Sequence, residues 1–445
     1  MKLPSITRSW LRFFCIFWMV ATLSAQAQNN NAPSGELADR QPLPLEDLRL
    51  FTLVLEHIRR SYVEPISDQA LLENAIKGML QELDPHSVYL DAKHFSAIQE
   101  NTKGKFSGVG LEVGTDDGYV RIITPVDGSP AAIAGLKVGD LIIKLDDESI
   151  QGLSLSEVAK RIRGLKGTSV TFTIVRQGVD EPFDVTVIRD TIKSQSVRSR
   201  VIEDSYGYVR ISQFQSNTGK DFTKAISDMR GNYPKLKGLV LDLRNNPGGI
   251  LQASVEVVDA FIHEGVIVYT EGRLGNSNQS FNAAEGDVAN GLPLVVLIND
   301  GSASAAEIVA GALQDHQRAI VMGTTSFGKG SVQTILPVGE NKGIKLTTAF
   351  YYTPAGRSIQ AQGIIPDIEI KRATITELDQ VRQLKEADLS GHFSNRGSTE
   401  ESHQRTLETD DSRRDMLRDN QLFEAINMLK GLAIFKQASQ KLSAE

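Results

Sequence analysis

Five consecutive aliphatic residues, Leu294 to Ile298, constrain this chain more than any other stretch. A strand apolar at every position needs cover on both faces, which is the condition of a strand inside an α/β layered core. The run leads into Asn299-Asp-Gly-Ser-Ala-Ser-Ala-Ala-Glu307, after which Ile308, Val309, Ala312 and Leu313 recur at helical spacing. Gly238 to Leu243, Val266 to Val268 and Ala319 to Met322 are further strand-like runs separated by helical patterns, so the fold class is α/β.

The strand–turn–helix unit carries chemistry as well as structure. It puts small hydroxyl residues at a helix N-terminus, where free N–H groups and the helix dipole favour developing negative charge. A serine nucleophile and the oxyanion it creates are both stabilised there. The seven histidines are scattered, and none sits in a motif that marks it as a base. Lys329 does, in the glycine-flanked turn Phe327-Gly-Lys-Gly-Ser-Val-Gln333. Ser–Lys pairs are a variant of the triad. The lysine serves as a base only if burial lowers its pKa from about 10.4 towards roughly 7–8. Gln333 is neutral and suits an orienting role without adding charge.

Other readings attach to the same residues. Ser304-x-x-Glu307 is also a capping box, which would make Ser304 an N-cap. Gly323 to Lys329 imitates a phosphate-binding loop, but Gly330 stands where that loop needs Ser or Thr. His316, at the end of the same helical pattern, is the alternative base.

Gly301-Ser-Ala-Ser-Ala305 and Phe327-Gly-Lys-Gly-Ser-Val-Gln333 together resemble the carboxy-terminal processing peptidases, or tail-specific proteases. Leu83-Asp-Pro-His-Ser-Val-Tyr-Leu90 and Gly363-Ile-Ile-Pro-Asp367 match the same family. The resemblance runs from about Leu45 to the C-terminus, apart from residues 385–412. It implies a crotonase/Clp-protease-like catalytic core, with Ser304 as nucleophile, Lys329 as base and Gln333 as its orienting partner. It also implies an oxyanion hole from an amide of the Asn246-Pro-Gly-Gly249 turn, Gly248 or Gly249, with that of Ala305. His86 reads as structural.

Residues 104–190 resemble an inserted PDZ domain, β-rich with two helices. Strand runs at Val120–Ile123, Leu141–Leu145 and Val170–Val175 flank Gly135-Leu-x-x-Gly-Asp140. Such modules add a peptide as an extra strand and hold its terminal carboxylate in a nest of N–H groups. The expected nest is Gly108, Val109, Gly110 and Leu111, after Ser107; glycines let backbone approach an anion closely.

The remaining segments complete the plan. Lys2, Arg8 and Arg12 precede an apolar run from Phe13 to Leu23 and an Ala25-Gln26-Ala27 cleavage pattern. Residues 1–27 therefore read as a signal peptide, and the expected location is periplasmic, with membrane association if the segment stays uncleaved. The one cysteine, Cys15, lies inside that segment, which excludes a cysteine peptidase. Residues 28–44 read as a linker, 45–103 as a helical region, 191–384 as the peptidase core and 385–412 as a polar linker. Residues 413–445 hold a final amphipathic helix whose apolar face must be covered, either by the chain's own core or, as the favoured expectation, by a second subunit.

The formal net charge of −7 argues against a nucleic-acid partner. No His, Cys, Asp and Glu cluster has metal-ligand spacing, and no cofactor is expected. The expected function is a serine endopeptidase acting through an acyl-enzyme on proteins with free C-termini. The expected assembly is a homo-oligomer, with an adaptor or activator as a further partner. Two other classes remain open: a PDZ adaptor on an inactive core, and an acyl-transfer or hydratase enzyme on a crotonase-like core.

Overall fold

A computed structural model describes residues 44–374 and 419–442, apart from 117, 118, 127 and 194, together with 390 and 393. The signal peptide, almost all of the 28–44 linker and nearly all of the 385–412 linker lie outside the described residues. The described residues divide between Ile76 and Lys77 into two compact units.

In the first unit, α1 (Leu45–Ser61) is followed by the opening turns of α2 (Asp68–Gln81), on either side of Pro65. Glu46 and Asp47 in the first turn of α1, and Arg59 and Arg60 in its last, complement the helix dipole. Leu48, Phe51 and Val54 on α1 are exposed.

The second unit opens with β1 (Val88–Leu90) and α3 (Ala92–Lys103). Asp91 caps α3 through the His94 N–H, and Gly104 ends it in a left-handed conformation. Next come β2 (Lys105–Gly108), β3 (Leu111–Asp116), β4 (Tyr119–Pro125), α4 (Pro130–Ile133), β5 (Leu141–Leu145), β6 (Glu148–Ser149), α5 (Leu155–Ile162), β7 (Ser169–Val175), β8 (Phe183–Ile188) and β9 (Asp190–Lys193). The sheet order is β3-β4-β5-β7-β8, with β6 beside β5. Ile122, Ile142, Val158, Val170, Phe172 and Ile174 fill its core. β2 and β9 pair antiparallel as a separate stalk, so the module's return strand runs past the expected boundary at 190 to Lys193.

The core continues with β10 (Val197–Ile202), β11 (Tyr206–Ile211), α6 (Thr218–Asn232), β12 (Gly238–Asp242), α7 (Leu251–Asp259), β13 (Val266–Gly272), β14 (Gln279–Asn282), β15 (Leu294–Ile298), α8 (Ala305–Asp315), β16 (Ile320–Gly323), β17 (Ser331–Pro337), β18 (Gly343–Tyr352), β19 (Ile368–Glu369) and α9 (Asn420–Leu442). The central sheet runs β10-β11-β12-β15-β16-β19, antiparallel at β10–β11 and parallel thereafter.

Period-two alternation gives the two buried faces different partners. Leu239, Leu241, Leu294, Val296 and Ile298 join α6, α7 and α8 in one cluster. Val240, Val295 and Leu297 face the other way, against Leu422, Ala425, Ile426 and Leu429 of α9. A second sheet, β1-β18-β13-β14 with β17 beside β18, packs on the α7–α8 side through Ile267, Val332 and Tyr351.

Two expectations change here. The apolar stripe of the C-terminal helix is covered by the chain's own sheet, not reserved for a second subunit. Gly238 lacks a side chain where Leu429 packs; a Cβ there would lie 2.8 Å from Leu429 Cδ2. Region 45–103 is not purely helical either, because β1 completes the second sheet against β18.

Candidate active site

β15 ends at Ile298, and the next six residues are held by a dense set of bonds. The Ser302 hydroxyl donates to the Leu243 carbonyl at 2.8 Å and accepts the Asn299 N–H at 3.0 Å. Ser302 is fully buried, so of the two serines it is the structural one. The Ala303 N–H donates to the Asn246 carbonyl, stitching this turn to the one after β12.

Ser304 opens α8 with φ +57° and ψ −117°, a region sparsely populated by residues with a Cβ. That bend is held by Glu307, whose Oε2 accepts the Ser304 N–H at 2.7 Å. Only the Glu307 half of a capping box is therefore formed: the Glu307 N–H donates to the Ser304 carbonyl at 2.8 Å and not to its hydroxyl.

The carboxylate of Glu307 does more than cap. Its Oε1 accepts the Ser326 hydroxyl at 2.6 Å and the Gly328 N–H at 2.7 Å, and its Oε2 also accepts the Lys329 N–H at 2.9 Å. Glu307 is fully buried. One carboxylate thus ties the serine turn to the lysine turn. The sequence offered Glu307 only as half of a capping box; its reach to a loop about twenty residues on is a tertiary fact.

Lys329 and Ser304 line one cleft of about 450 Å³, with Gly249, Ala305, Gln333 and Tyr351. Burial pulls the Lys329 amine below the usual lysine range, and the nearby Lys345 charge adds to this; Asp84 and Glu307 act in the opposite direction. Tyr351 clamps the lysine turn from the second sheet. Its N–H donates to the Gly330 carbonyl and its hydroxyl to the Lys329 carbonyl. Tyr351 was not singled out in the sequence, where it reads as one aromatic in a strand.

Gln333 sits on β17, not in a turn. Its amide donates to the hydroxyls of Ser331 at 2.9 Å and Thr347 at 3.4 Å. It shares the cleft with Lys329 without a described hydrogen bond to it.

The two glycines of the 246–249 turn divide their work. The Gly248 N–H donates to Asn246 Oδ1 at 2.9 Å, which removes it as an oxyanion donor. Gly248 is instead the spacer against Ser304, since a Cβ on it would lie 2.7 Å from the serine Cβ. The N–H groups of Gly249 and Ala305 donate to no described group, and both residues line the cleft. Gly249 has φ +143° and lies so close to Phe214 that a Cβ would fall 2.1 Å from its carbonyl oxygen.

His86 lies on the loop before β1, where Asp84 accepts the N–H groups of His86 and Ser87. Its imidazole pKa is lowered by burial and then by the Lys329 charge, so this loop borders the site. His316 does not: it caps the far end of α8 and its Nε2 is 2.7 Å from the Val266 carbonyl. Among the described residues, no group of three His, Cys, Asp or Glu side chains converges as a metal site would.

In the smaller module, Val109 is buried in the core, and its carbonyl accepts the Ala131 N–H. The Gly110 carbonyl accepts from the Val126 N–H and the Ser129 hydroxyl. The N–H groups of Val109 and Gly110 donate to no described group. Gly108 is paired in the stalk opposite Asp190, and Leu111 begins β3, the edge strand of its sheet.

The chain matches Peptidase family S41 over residues 205–370, the PDZ domain over 121–176 and the Activating protease CtpB N-terminal domain over 13–94. It is 46% identical over 389 residues to the carboxy-terminal-processing protease of Bartonella bacilliformis, covering 87% of this chain and 89% of that one. Identity to the carboxyl-terminal-processing protease of Synechocystis sp. is 36% over 382 residues, covering 81% and 88%. A solved structure, the photosystem II D1 C-terminal processing protease, shares 30% identity over 72% of this chain and 86% of that one, with a TM-score of 0.45. The chain belongs to the carboxy-terminal-processing proteases of peptidase family S41, serine-type peptidases that carry a PDZ domain.

Proposed function

We propose that this protease cleaves through a Ser304–Lys329 dyad and an acyl-enzyme. Ser304 Oγ attacks the scissile carbonyl while its proton passes to the neutral Lys329 amine. The oxyanion is received by the N–H groups of Gly249 and Ala305. The Lys329 ammonium then protonates the departing amine. Water, deprotonated by the regenerated amine, releases the acyl group. Gln333 fixes the hydroxyl-rich wall beside the amine. The observation that carries this reading is the Glu307 carboxylate, which holds the Ser304 and Lys329 main chains at 2.7 and 2.9 Å.

Substrate tails with a free carboxylate enter through the PDZ module. Support comes from the free edge of β3, from the unpaired N–H groups of Val109 and Gly110, and from α5 packed beside β3. This restricts the nest to 109–110 with the start of β3, since Gly108 is engaged in the stalk. The basic, apolar and Ala25-Gln26-Ala27 pattern supports export to the periplasm. The exposed apolar face of α1 supports self-association.

A phosphonylating serine reagent tests the dyad: it should label the wild type at Ser304 and leave Ser304→Ala unlabelled. Labelling of Ser302 instead would overturn the assignment.

A further inference from the structure

The cleft around Ser304 is chemically lopsided. One wall is apolar, with Phe214, Ile250, Leu251 and Ile308. The other is the β17–β18 ribbon, where Lys345 stands opposite Ile335 on β17 and Val88 on β1. The residues lining the cleft include two cations, Lys329 and Lys345, and no carboxylate. Lys329 has to be neutral to act as a base, so it does not serve as an anion ligand. The nearest acid of the 84–87 loop is already engaged: Asp84 accepts from two N–H groups and the Ser87 hydroxyl. Lys345 forms no ion pair with a described carboxylate, although the structure pairs many of its other lysines and arginines.

A half-buried lysine facing a peptide cleft with neutral hydrogen-bonding neighbours and no acid beside it has room for one ligand class. We infer that Lys345 is a specificity-determining residue that pairs with a carboxylate of the bound polypeptide within a few residues of the scissile bond. Two sources supply that group: an Asp or Glu side chain, or the terminal carboxylate of a short tail. The inference rests on the proposed active site, since it needs that cleft to hold the scissile peptide.

The test uses the full chain and peptides blocked at both ends, in which one position from three residues before to three residues after the cleavage site carries Glu or Gln. At one position the wild type should cleave the Glu peptide with about tenfold higher kcat/KM, the scale of one charge-assisted hydrogen bond. Lys345→Gln should reduce that ratio to about one, Lys345→Arg should keep it, and Lys345→Glu should favour a Lys-bearing peptide instead. A second arm compares free and amidated termini placed within three residues of the cleavage site. A terminal preference read by Lys345 disappears in Lys345→Gln, whereas one read by the PDZ module persists. The selectivity ratio is used because a merely structural role for Lys345 would change both peptides alike. No Glu or terminal-carboxylate preference at any position in the wild type, or one that persists in Lys345→Gln, overturns the inference. Ser304→Ala separates this from failure of the active-site reading: loss of all cleavage there with a flat charge ratio would sink only the role of Lys345.

Discussion

Glu307 accepts the Lys329 N–H at 2.9 Å from the first turn of the helix that Ser304 opens. The proposed base and nucleophile belong to different loops, and this buried carboxylate bonds to the main chain of both. Glu307→Gln has the same shape but puts an NH2 group where a donor already points. We expect a loss of at least tenfold in kcat and about 1–3 kcal/mol of stability, the cost of unsatisfied buried donors. Urea unfolding and peptide cleavage measure the two. Wild-type values for both in Glu307→Ala would show that the carboxylate is not the brace.

A second brace lies behind the 245–249 turn. Arg244 donates to Asp242 and to Asp419, which precedes α9. Arg244 holds the Asp242 carboxyl below the usual carboxylate range by hydrogen bond and charge, overriding a burial effect of the opposite sign, and Asp419 is lowered for the same reason. A depressed carboxylate contributes stability that is present above its unfolded pKa, about 3.9, and lost as pH falls through the lower folded value. Asp419→Asn should therefore cost about 1–2 kcal/mol at neutral pH, allowing for the exposure of Asp419. Its gap from wild type should narrow as the pH falls below that unfolded value. A gap that stays constant through that fall would remove Asp419 from the brace.

Leu429 is fully buried against Gly238 and the outer face of the central sheet. Leu429→Ala should cost about 2–5 kcal/mol, read as a lower urea midpoint, with no change in oligomer mass by light scattering. Loss of mass without loss of monomer stability would return this face to a subunit contact.

Tail recognition has its own readout. A peptide with a free C-terminus should bind the protein several-fold more tightly than its amidated form, because the Val109 and Gly110 N–H groups receive an anion better than an amide. Equal affinities in calorimetry would count against the nest.

The sequence made the central sheet readable because its strands are local signals. Leu294 to Ile298 and Gly238 to Asp242 announce themselves by unbroken aliphatic content. Ser304 and Lys329 were readable as paired motifs. What was hidden depends on contacts between distant segments. β17 passed for part of a turn because Ser331 and Gln333 have little strand character, and only pairing with β18 makes it extended. The choice between Gly248 and Gly249 turns on one hydrogen bond, donated by the Gly248 N–H to the Asn246 side chain. The direction of the α9 face was equally undecidable, since an apolar stripe states that it must be covered but not by what.

The central claim is that a neutral Lys329 takes the Ser304 proton. A pH profile of kcat/KM for wild type and Lys329→Arg tests it most directly. Burial and Lys345 lower the Lys329 pKa, so wild-type activity should rise with pH as the amine loses its proton, with a midpoint below the ordinary lysine value of about 10.4. Guanidinium stays protonated throughout, and Lys329→Arg should be inactive at every pH. Wild-type cleavage by purified Lys329→Arg would contradict the account.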